Sequence, residues 1–295
     1  MTEAPQRRET PKKILLATDL SGRCDRALDR AVMLADEWKA SLVVVHAIEP
    51  DYQMAIEDDH DVPSWRRRSL RRMSIAERQV REDLSGRKVP FDVVVEDGEP
   101  TEVILKAAAE RGCDLVVAGT ARNETFGRFI LGTTVDRLAR RASVPLLVVK
   151  ARARKPYARV AVATDFSDAS RHALEGASAL LPQSDITLLH SYRPVAIGLA
   201  SSTVGNDSDR RLAVDTCARF LATSTLSPAF RAKLQIVIEQ GDIEAVVKAY
   251  VEDKGLDLLV IGARGRNIVL DLLLGSTAER LLRSATCDVL VMRNS

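Results

Sequence analysis

The feature that most constrains this chain is that it states its pattern twice. Ile14-Leu15-Leu16-Ala17-Thr18-Asp19-Leu20-Ser21 returns 146 positions later as Val160-Ala161-Val162-Ala163-Thr164-Asp165-Phe166-Ser167. Leu42-Val43-Val44-Val45-His46 returns as Ile186-Thr187-Leu188-Leu189-His190 after 144 positions. Cys113-Asp114-Leu115-Val116-Val117-Ala118-Gly119 returns as Leu256-Asp257-Leu258-Leu259-Val260-Ile261-Gly262, and Leu131-Gly132-Thr133 as Leu274-Gly275-Ser276, both at 143. Four segments in unchanged order are an internal duplication. The period is a whole domain, so this is not a solenoid, whose units run to roughly 20–45 residues. The 295 residues therefore divide into two domains of ordinary size, 1–150 and 158–295. Between them, 151–157 reads as a linker, because Ala151-Arg152-Ala153-Arg154-Lys155-Pro156 is polar and closes with Pro.

Each half alternates short apolar runs with helical periodicity, as β-α-β-α-β-α-β-α-β. The first half places strands at 13–18, 41–48, 89–96, 114–118 and 144–149, with helices at 22–38, 65–85, 100–111 and 133–141. The second places strands at 158–164, 185–191, 233–240, 257–261 and 287–292. Consecutive Val, Leu and Ile, rather than alternation, mark strands buried on both faces, as in a parallel sheet. The expected fold is α/β: two tandem doubly wound open sheets, each of five parallel strands with helices on both faces. The segments 49–64 and 192–208 occupy the same slot after the second strand and exceed a normal βα loop, so they are candidates to cover a site.

Several functions are disfavoured. Lys and Arg total 43 against 41 Asp and Glu, a formal charge of +2, which gives no mandate for nucleic acid or an anionic membrane. No apolar run approaches the roughly 20 residues of a membrane span, and no cleavable signal is present, so the cytoplasm is the expected location. Cys24, Cys113, Cys217 and Cys287 have no metal-ligand spacing and read as small buried hydrophobes. His46 and His190 end strands and read as satisfied near-core histidines. The basic run Arg66-Arg67-Arg68-Ser69-Leu70-Arg71-Arg72 is followed at helical reach by Glu77, Glu82 and Asp83, and reads as the solvated face of an amphipathic helix. No P-loop, dinucleotide fingerprint or nucleophile elbow appears.

In open α/β sheets ligands bind beyond the carboxyl ends of the strands. There the second half presents Thr164-Asp165-Phe166-Ser167, His190-Ser191, and Gly262-Ala263-Arg264-Gly265 followed, nine residues on, by Gly275-Ser276-Thr277. Gly262 and Gly265 leave bare backbone for the close approach of a phosphate. Gly275-Ser276-Thr277 precedes a helix, whose N-terminus offers unpaired N–H groups to an anion, and Ser276 is a good N-cap.

These residues resemble the universal stress protein family, once per half and over nearly the whole chain. Its ATP-binding branch carries G-x-x-G-x(9)-G-[ST], which Gly262, Gly265, Gly275 and Ser276 fit. The resemblance implies an adenine-nucleotide alpha hydrolase-like fold and ATP as ligand. It implies an Asp beside the adenosine, at Asp165, and a residue lining the adenine pocket, at Ser191. Thr277 adds a hydroxyl at the phosphates. The first half departs from the motif: Gly119, Gly132 and Thr133 match, but Arg122 replaces the second glycine, with Asp19 and Ala47 at the other positions. Arg is disfavoured if that position needs φ > 0, although a guanidinium also suits phosphate. Binding is expected mainly in the second half.

The expected role is an ATP-binding stress sensor or regulator. A slow ATPase or phosphotransferase is one alternative, with Asp165 or Asp271 assisting Mg2+, although no dedicated catalytic group is evident. A nucleotide-independent interaction protein is the other. The resemblance further implies that the two domains pair with each other through their final strands, 144–149 and 287–292, and that the pair can form a homodimer.

Overall fold

The computed structural model describes residues 10–22, 24–49, 64–123, 128–130, 132–193, 203–263 and 274–293. Two compact units divide between Arg154 and Lys155. The first holds β1 (Lys13–Ala17), α1 (Asp25–Trp38), β2 (Ser41–Ile48), α2 (Ser64–Asp83), β3 (Phe91–Asp97), α3 (Pro100–Glu110), β4 (Leu115–Gly119), β5 (Ala121–Asn123), β6 (Arg128–Ile130), α4 (Thr133–Arg141) and β7 (Leu146–Val149). Its main sheet runs β7-β4-β1-β2-β3, every pair parallel.

The second unit holds β8 (Arg159–Ala163), α5 (Asp168–Leu180), β9 (Asp185–Tyr192), α6 (Thr203–Ala222), α7 (Pro228–Lys233), β10 (Gln235–Gln240), α8 (Ile243–Lys254), β11 (Leu258–Gly262), α9 (Ser276–Ser284) and β12 (Asp288–Met292). Its sheet repeats the order as β12-β11-β8-β9-β10, again all parallel. The expected strands are present with ends shifted by at most two residues. The buried runs are the ones the apolar pattern marks: Ile14–Ala17, Leu42–Val45, Leu115–Ala118, Val160–Ala163 and Leu258–Ile261 all lie in the core.

The duplication extends to single hydrogen bonds. Asp114 Oδ2 accepts the N–H groups of Lys12 and Lys13 at 2.8 and 3.0 Å, and Asp257 Oδ2 accepts those of Ala158 and Arg159 at 3.1 and 2.9 Å. Each carboxylate thereby satisfies the exposed N–H groups where a central strand begins. This accounts for an aspartate recurring just ahead of an apolar strand. Lys13 Nζ donates to the Arg111 carbonyl at 2.7 Å, and Arg159 Nε to the Gly255 carbonyl at 2.8 Å. Tyr157, expected in the linker, belongs to the second unit: its hydroxyl donates to Asp288 at 2.6 Å and its carbonyl accepts from Ser184.

Two features were absent from the expected order. Ala121–Asn123 and Arg128–Ile130 form a small antiparallel pair, and α7 precedes β10. Arg122 is the middle residue of β5, opposite Phe129. It therefore sits in extended backbone that any L residue adopts, and the argument that Arg is disfavoured there by φ > 0 does not hold.

Gly262 is fixed by packing rather than left bare. A Cβ there would come within 2.8 Å of the Ala169 carbonyl carbon and oxygen and 3.1 Å from the Ser170 nitrogen. The glycine lets the first turn of α5 lie directly on the end of β11. Gly262→Ala is therefore expected to cost about 1–3 kcal/mol, as forced overpacking does. At Gly132 an added Cβ meets nothing within 4 Å, and Gly132→Ser is expected to be neutral or to stabilise by roughly 0.5 kcal/mol through capping. Urea unfolding of both variants tests this; equal losses at the two positions would remove the packing explanation.

Candidate functional site

In each unit the chain leaves the first strand toward one side and returns on the other. The switch points lie between β1 and β4 and between β8 and β11. This is where open α/β sheets place ligands. Asp165 follows β8, Gly262 ends β11, and Ser191 lies near the end of β9, beside Glu239 of β10. In the first unit Asp19 follows β1, Gly119 ends β4, and Ala47 lies near the end of β2. The strand ends thus bring all six positions to the carboxyl edges of their sheets. Gly265, Asp271 and most of 192–208 and 49–64 fall outside the described residues.

The turn after the first strand is built the same way twice. Thr164 Oγ1 accepts the Phe166 N–H at 2.9 Å, and Thr18 Oγ1 accepts the Leu20 N–H at 3.0 Å. Asp165 Oδ1 accepts the Ser167 N–H at 3.0 Å, and Asp19 Oδ1 accepts the Ser21 N–H at 2.9 Å. These bonds hold Phe166 and Leu20 at φ 62° and 60°, conformations unusual for residues with a side chain. From the neighbouring strand, His190 Nδ1 donates to the Thr164 carbonyl at 2.8 Å, and His46 Nδ1 to the Thr18 carbonyl at 3.0 Å. Both histidines therefore have the bracing role expected of satisfied near-core residues. The aspartates are turn-formers as well as site candidates, a role their position in the motif did not disclose.

Around this shared turn the copies diverge. Phe166 lies 4.2 Å from the His190 ring and 5.5 Å from that of Phe220 on α6. In the first unit Leu20 takes its place, and Gln79 of α2 donates to the Leu20 carbonyl at 3.3 Å. Ser167 caps α5 by accepting the Ser170 N–H, whereas Ser21 donates its hydroxyl back to Asp19 at 2.6 Å, and α1 begins only at Asp25. A cavity of about 20 Å³, room for roughly one water, lies between Leu16, Thr18, Leu20, Cys24, Val80 and Asp83. Burial pushes the Cys24 thiol up to about 12, which leaves it inert as a nucleophile. Burial, with Asp25 and Glu82 nearby, also raises the Asp83 carboxyl.

The helices that close the site start without a side-chain cap, as α1 also does at Cys24. α3, α5, α7 and α8 begin with side-chain caps from Glu99, Ser167, Ser227 and Asp242. α4 and α9 begin at glycines, Gly132 and Gly275, with no side-chain cap hydrogen bond to the first turn. Ser276 and Thr133 are thus the first helical residues, not the caps; the expected N-cap at Ser276 is displaced by one position. The Gly275 N–H donates to the Ala263 carbonyl at 2.9 Å, which seats the cap against the end of β11. Behind the first turn an arginine ties each helix to the acidic cap beside it. Arg137 donates to Glu99 at 2.9 Å, and Arg280 lies 3.2 Å from Glu244 and 4.0 Å from Asp242, which Arg193 also contacts.

Among the described residues no three His, Cys, Asp or Glu side chains converge as a metal site, and no helix is long and apolar enough to cross a membrane. The four cysteines are unpaired thiols, three of them buried and Cys24 half-buried.

Two doubly wound α/β domains, each with a glycine-started helix at its switch point, define the class: a tandem adenine-nucleotide alpha hydrolase-like protein. The sequence profile of the universal stress protein family matches residues 10–150 and again 156–293, and the chain belongs to that family. A universal stress protein of Thermus aquaticus is 34% identical over 140 residues, 47% of this chain and 98% of that protein. One of Mycobacterium tuberculosis is 24% identical over 227 residues, 70% of either chain. The crystal structure of a universal stress protein from Archaeoglobus fulgidus matches with a TM-score of 0.67 at 20% identity, covering 96% of this chain and 99% of that one. A putative universal stress protein from Pseudomonas aeruginosa gives 0.64 at 20% identity, over 96% and 93%. At such identities the structural likeness is one of fold.

Two predictions follow from the turn and from the acidic caps. Thr164→Val leaves the half-buried Phe166 N–H without its acceptor and is expected to cost about 1–3 kcal/mol by urea unfolding; a neutral result would deny the hydroxyl its role. For Glu99, burial alone would raise the carboxyl, but the Thr101 hydroxyl, the N–H groups of Glu102 and Thr101, and Arg137 outweigh it and hold it below 4.5. A carboxyl depressed by folding contributes stability that is complete above its unfolded value and lost as pH falls through its folded value. The Tm difference between wild type and Glu99→Gln is therefore expected to be largest near about pH 7 and to shrink below about pH 4.5. A difference constant down to about pH 3 would contradict the assignment.

Proposed function

We propose that this protein binds ATP at the carboxyl edge of its second domain and acts in the cytoplasm as a stress-associated sensor or regulator. The observation that carries this reading is the uncapped start of α9, placed beside the β8–β11 switch point with its first-turn N–H groups unclaimed by a cap side chain. Such an N-terminus suits an anion on both hydrogen-bonding and dipole grounds. In this reading Gly265, Gly275, Ser276 and Thr277 take the phosphates, and Asp165 and Ser191 face the nucleoside. Gly262 supports them by letting α5 close onto β11. Mg2+ enters only with the nucleotide, since it usually takes one or two carboxylates together with phosphate oxygens.

The first domain keeps the same uncapped start at Gly132. Its intervening segment, however, is drawn into the β5–β6 pair, with Arg122 where the motif has its second glycine. We assign it the weaker site, or a purely structural role, at Asp19, Ala47, Gly119, Arg122, Gly132 and Thr133. Pairing of the two domains through their final strands, and a homodimer, belong to the same proposal. Turnover is not part of it: Asp165 acts as a turn-former, its Oδ1 accepting the Ser167 N–H.

The test is nucleotide released from freshly purified, heat-denatured protein, quantified by chromatography, with ATP titration of any empty fraction. About one nucleotide per chain, lost in Gly265→Arg, supports the reading. About two per chain would show that Arg122 is tolerated. No release and no binding on titration would overturn the proposal in favour of an interaction protein.

A further inference from the structure

The outer strands of the two sheets occupy the same place in the repeat and differ in how they treat water. β3 carries Asp92, Glu96 and Asp97, and two of these are engaged by arginine or lysine: Asp92 by Arg111 and Glu96 by Lys106. Charge along an unpaired strand is the usual protection against another chain adding to it. β10, its counterpart, reads Gln235-Ile236-Val237-Ile238-Glu239-Gln240, with one charge and no Lys or Pro. It pairs with β9 along its whole length, and its other edge pairs with no strand among the described residues. Ile236 is 49% exposed. Three of the four large apolar side chains exposed among the described residues, Leu212, Val214 and Ile236, lie on β10 or on α6, which packs against it.

We propose that β10 is a docking edge for a second copy of this chain, pairing antiparallel with β10 of that copy about a two-fold axis at Val237. This register is selected by the side chains. With Val237 opposite itself, Ile236 faces Ile238 of the second copy and Gln235 faces Glu239, so apolar meets apolar, and amide meets carboxylate with no like charges opposed. Cross-strand pairs of this kind stabilise an antiparallel ladder, and opposed like charges destabilise it. The same operation on β3, centred on Val94, sets Asp92 against Glu96 and Phe91 against Asp97. The first domain therefore refuses the contact that the second permits. A shared edge strand of this kind is isologous and closes at a dimer rather than propagating. The proposal is independent of nucleotide.

The full-length chain is tested by sedimentation velocity across protein concentration. Wild type is expected to dimerise, and Ile236→Lys, which sets a charge against Ile238 of the second copy, to weaken the dimer about tenfold or more. Circular dichroism and thermal melting establish that the variant is folded. Independently of that variant, Val237→Cys is expected to form an intermolecular disulfide under mild oxidation. Opposed Cα atoms in an antiparallel pair lie roughly 4.5–5.5 Å apart, within disulfide reach. Wild type and Val94→Cys serve as controls and are expected not to cross-link. A wild-type chain that stays monomeric at about 100 μM, a dimer indifferent to Ile236→Lys, or cross-linking at Val94→Cys equal to that at Val237→Cys would overturn the proposal.

Discussion

One threonine hydroxyl at the end of the first strand of each domain organises the site. It accepts the N–H of a residue two positions on, at a left-handed φ that costs of the order of 1–3 kcal/mol unless its surroundings impose it. The threonine carbonyl is claimed in turn by a histidine of the neighbouring strand. With the carbonyl fixed from one side and the hydroxyl engaged from the other, the chain turns sharply, and the aspartate between them is left at the strand's carboxyl end. The first helix, the glycine that must accommodate it and the switch point all take their places from this turn. In the second copy Ser170 extends the arrangement, with its hydroxyl 2.8 Å from that of Thr164.

Duplication has kept that turn and varied what surrounds it. Two residues lie between Asp165 and the start of α5, and five between Asp19 and the start of α1. The longer connection releases Ser21 from capping and leaves Cys24 at the helix start without a side-chain cap bond to the first turn. Phe166 is held between an imidazole and Phe220, whereas Leu20 borders a small cavity and is steadied through its carbonyl by Gln79. The second copy is thus filled by tilted and edge-on ring contacts where the first is closed by a polar contact. Divergence reaches the outer strands too, where paired charges on β3 contrast with their near absence on β10.

The fold was legible because burial on both faces leaves consecutive Val, Leu and Ile where nothing else would, and because two copies of the pattern reinforce each other. The start of α3 at Pro100, where the expected helix 100–111 begins, was legible for a local reason, since the Glu99 cap and the Pro at the first helical position are adjacent in sequence. What escaped left no periodic or residue-type signal. The β5–β6 pair joins three-residue segments too short to carry a period. The left-handed conformation of Phe166 and Leu20 is imposed by a hydroxyl and an imidazole rather than by residue type. Ser276 looked like a cap because serine commonly is one, whereas the bond from the Gly275 N–H to the Ala263 carbonyl sets the helix start one residue earlier.

The two glycines that bracket the candidate phosphate site on the described chain answer to different physics. Gly262 is demanded by the protein alone, since any side chain there would strike the backbone of α5. Its presence therefore says nothing by itself about a ligand. Gly275 and its counterpart Gly132 sit where serine, asparagine or aspartate would cap the helix better, and an added Cβ at Gly132 would meet no obstacle. α4 and α9, like α1, lack the side-chain caps that start α3, α5, α7 and α8, and at α4 and α9 this forgoes roughly a few tenths of a kcal/mol at the place where an anion would otherwise compete with the cap. The nucleotide reading therefore rests on the cap glycines more than on the strand-end glycine, although the two look alike in the motif.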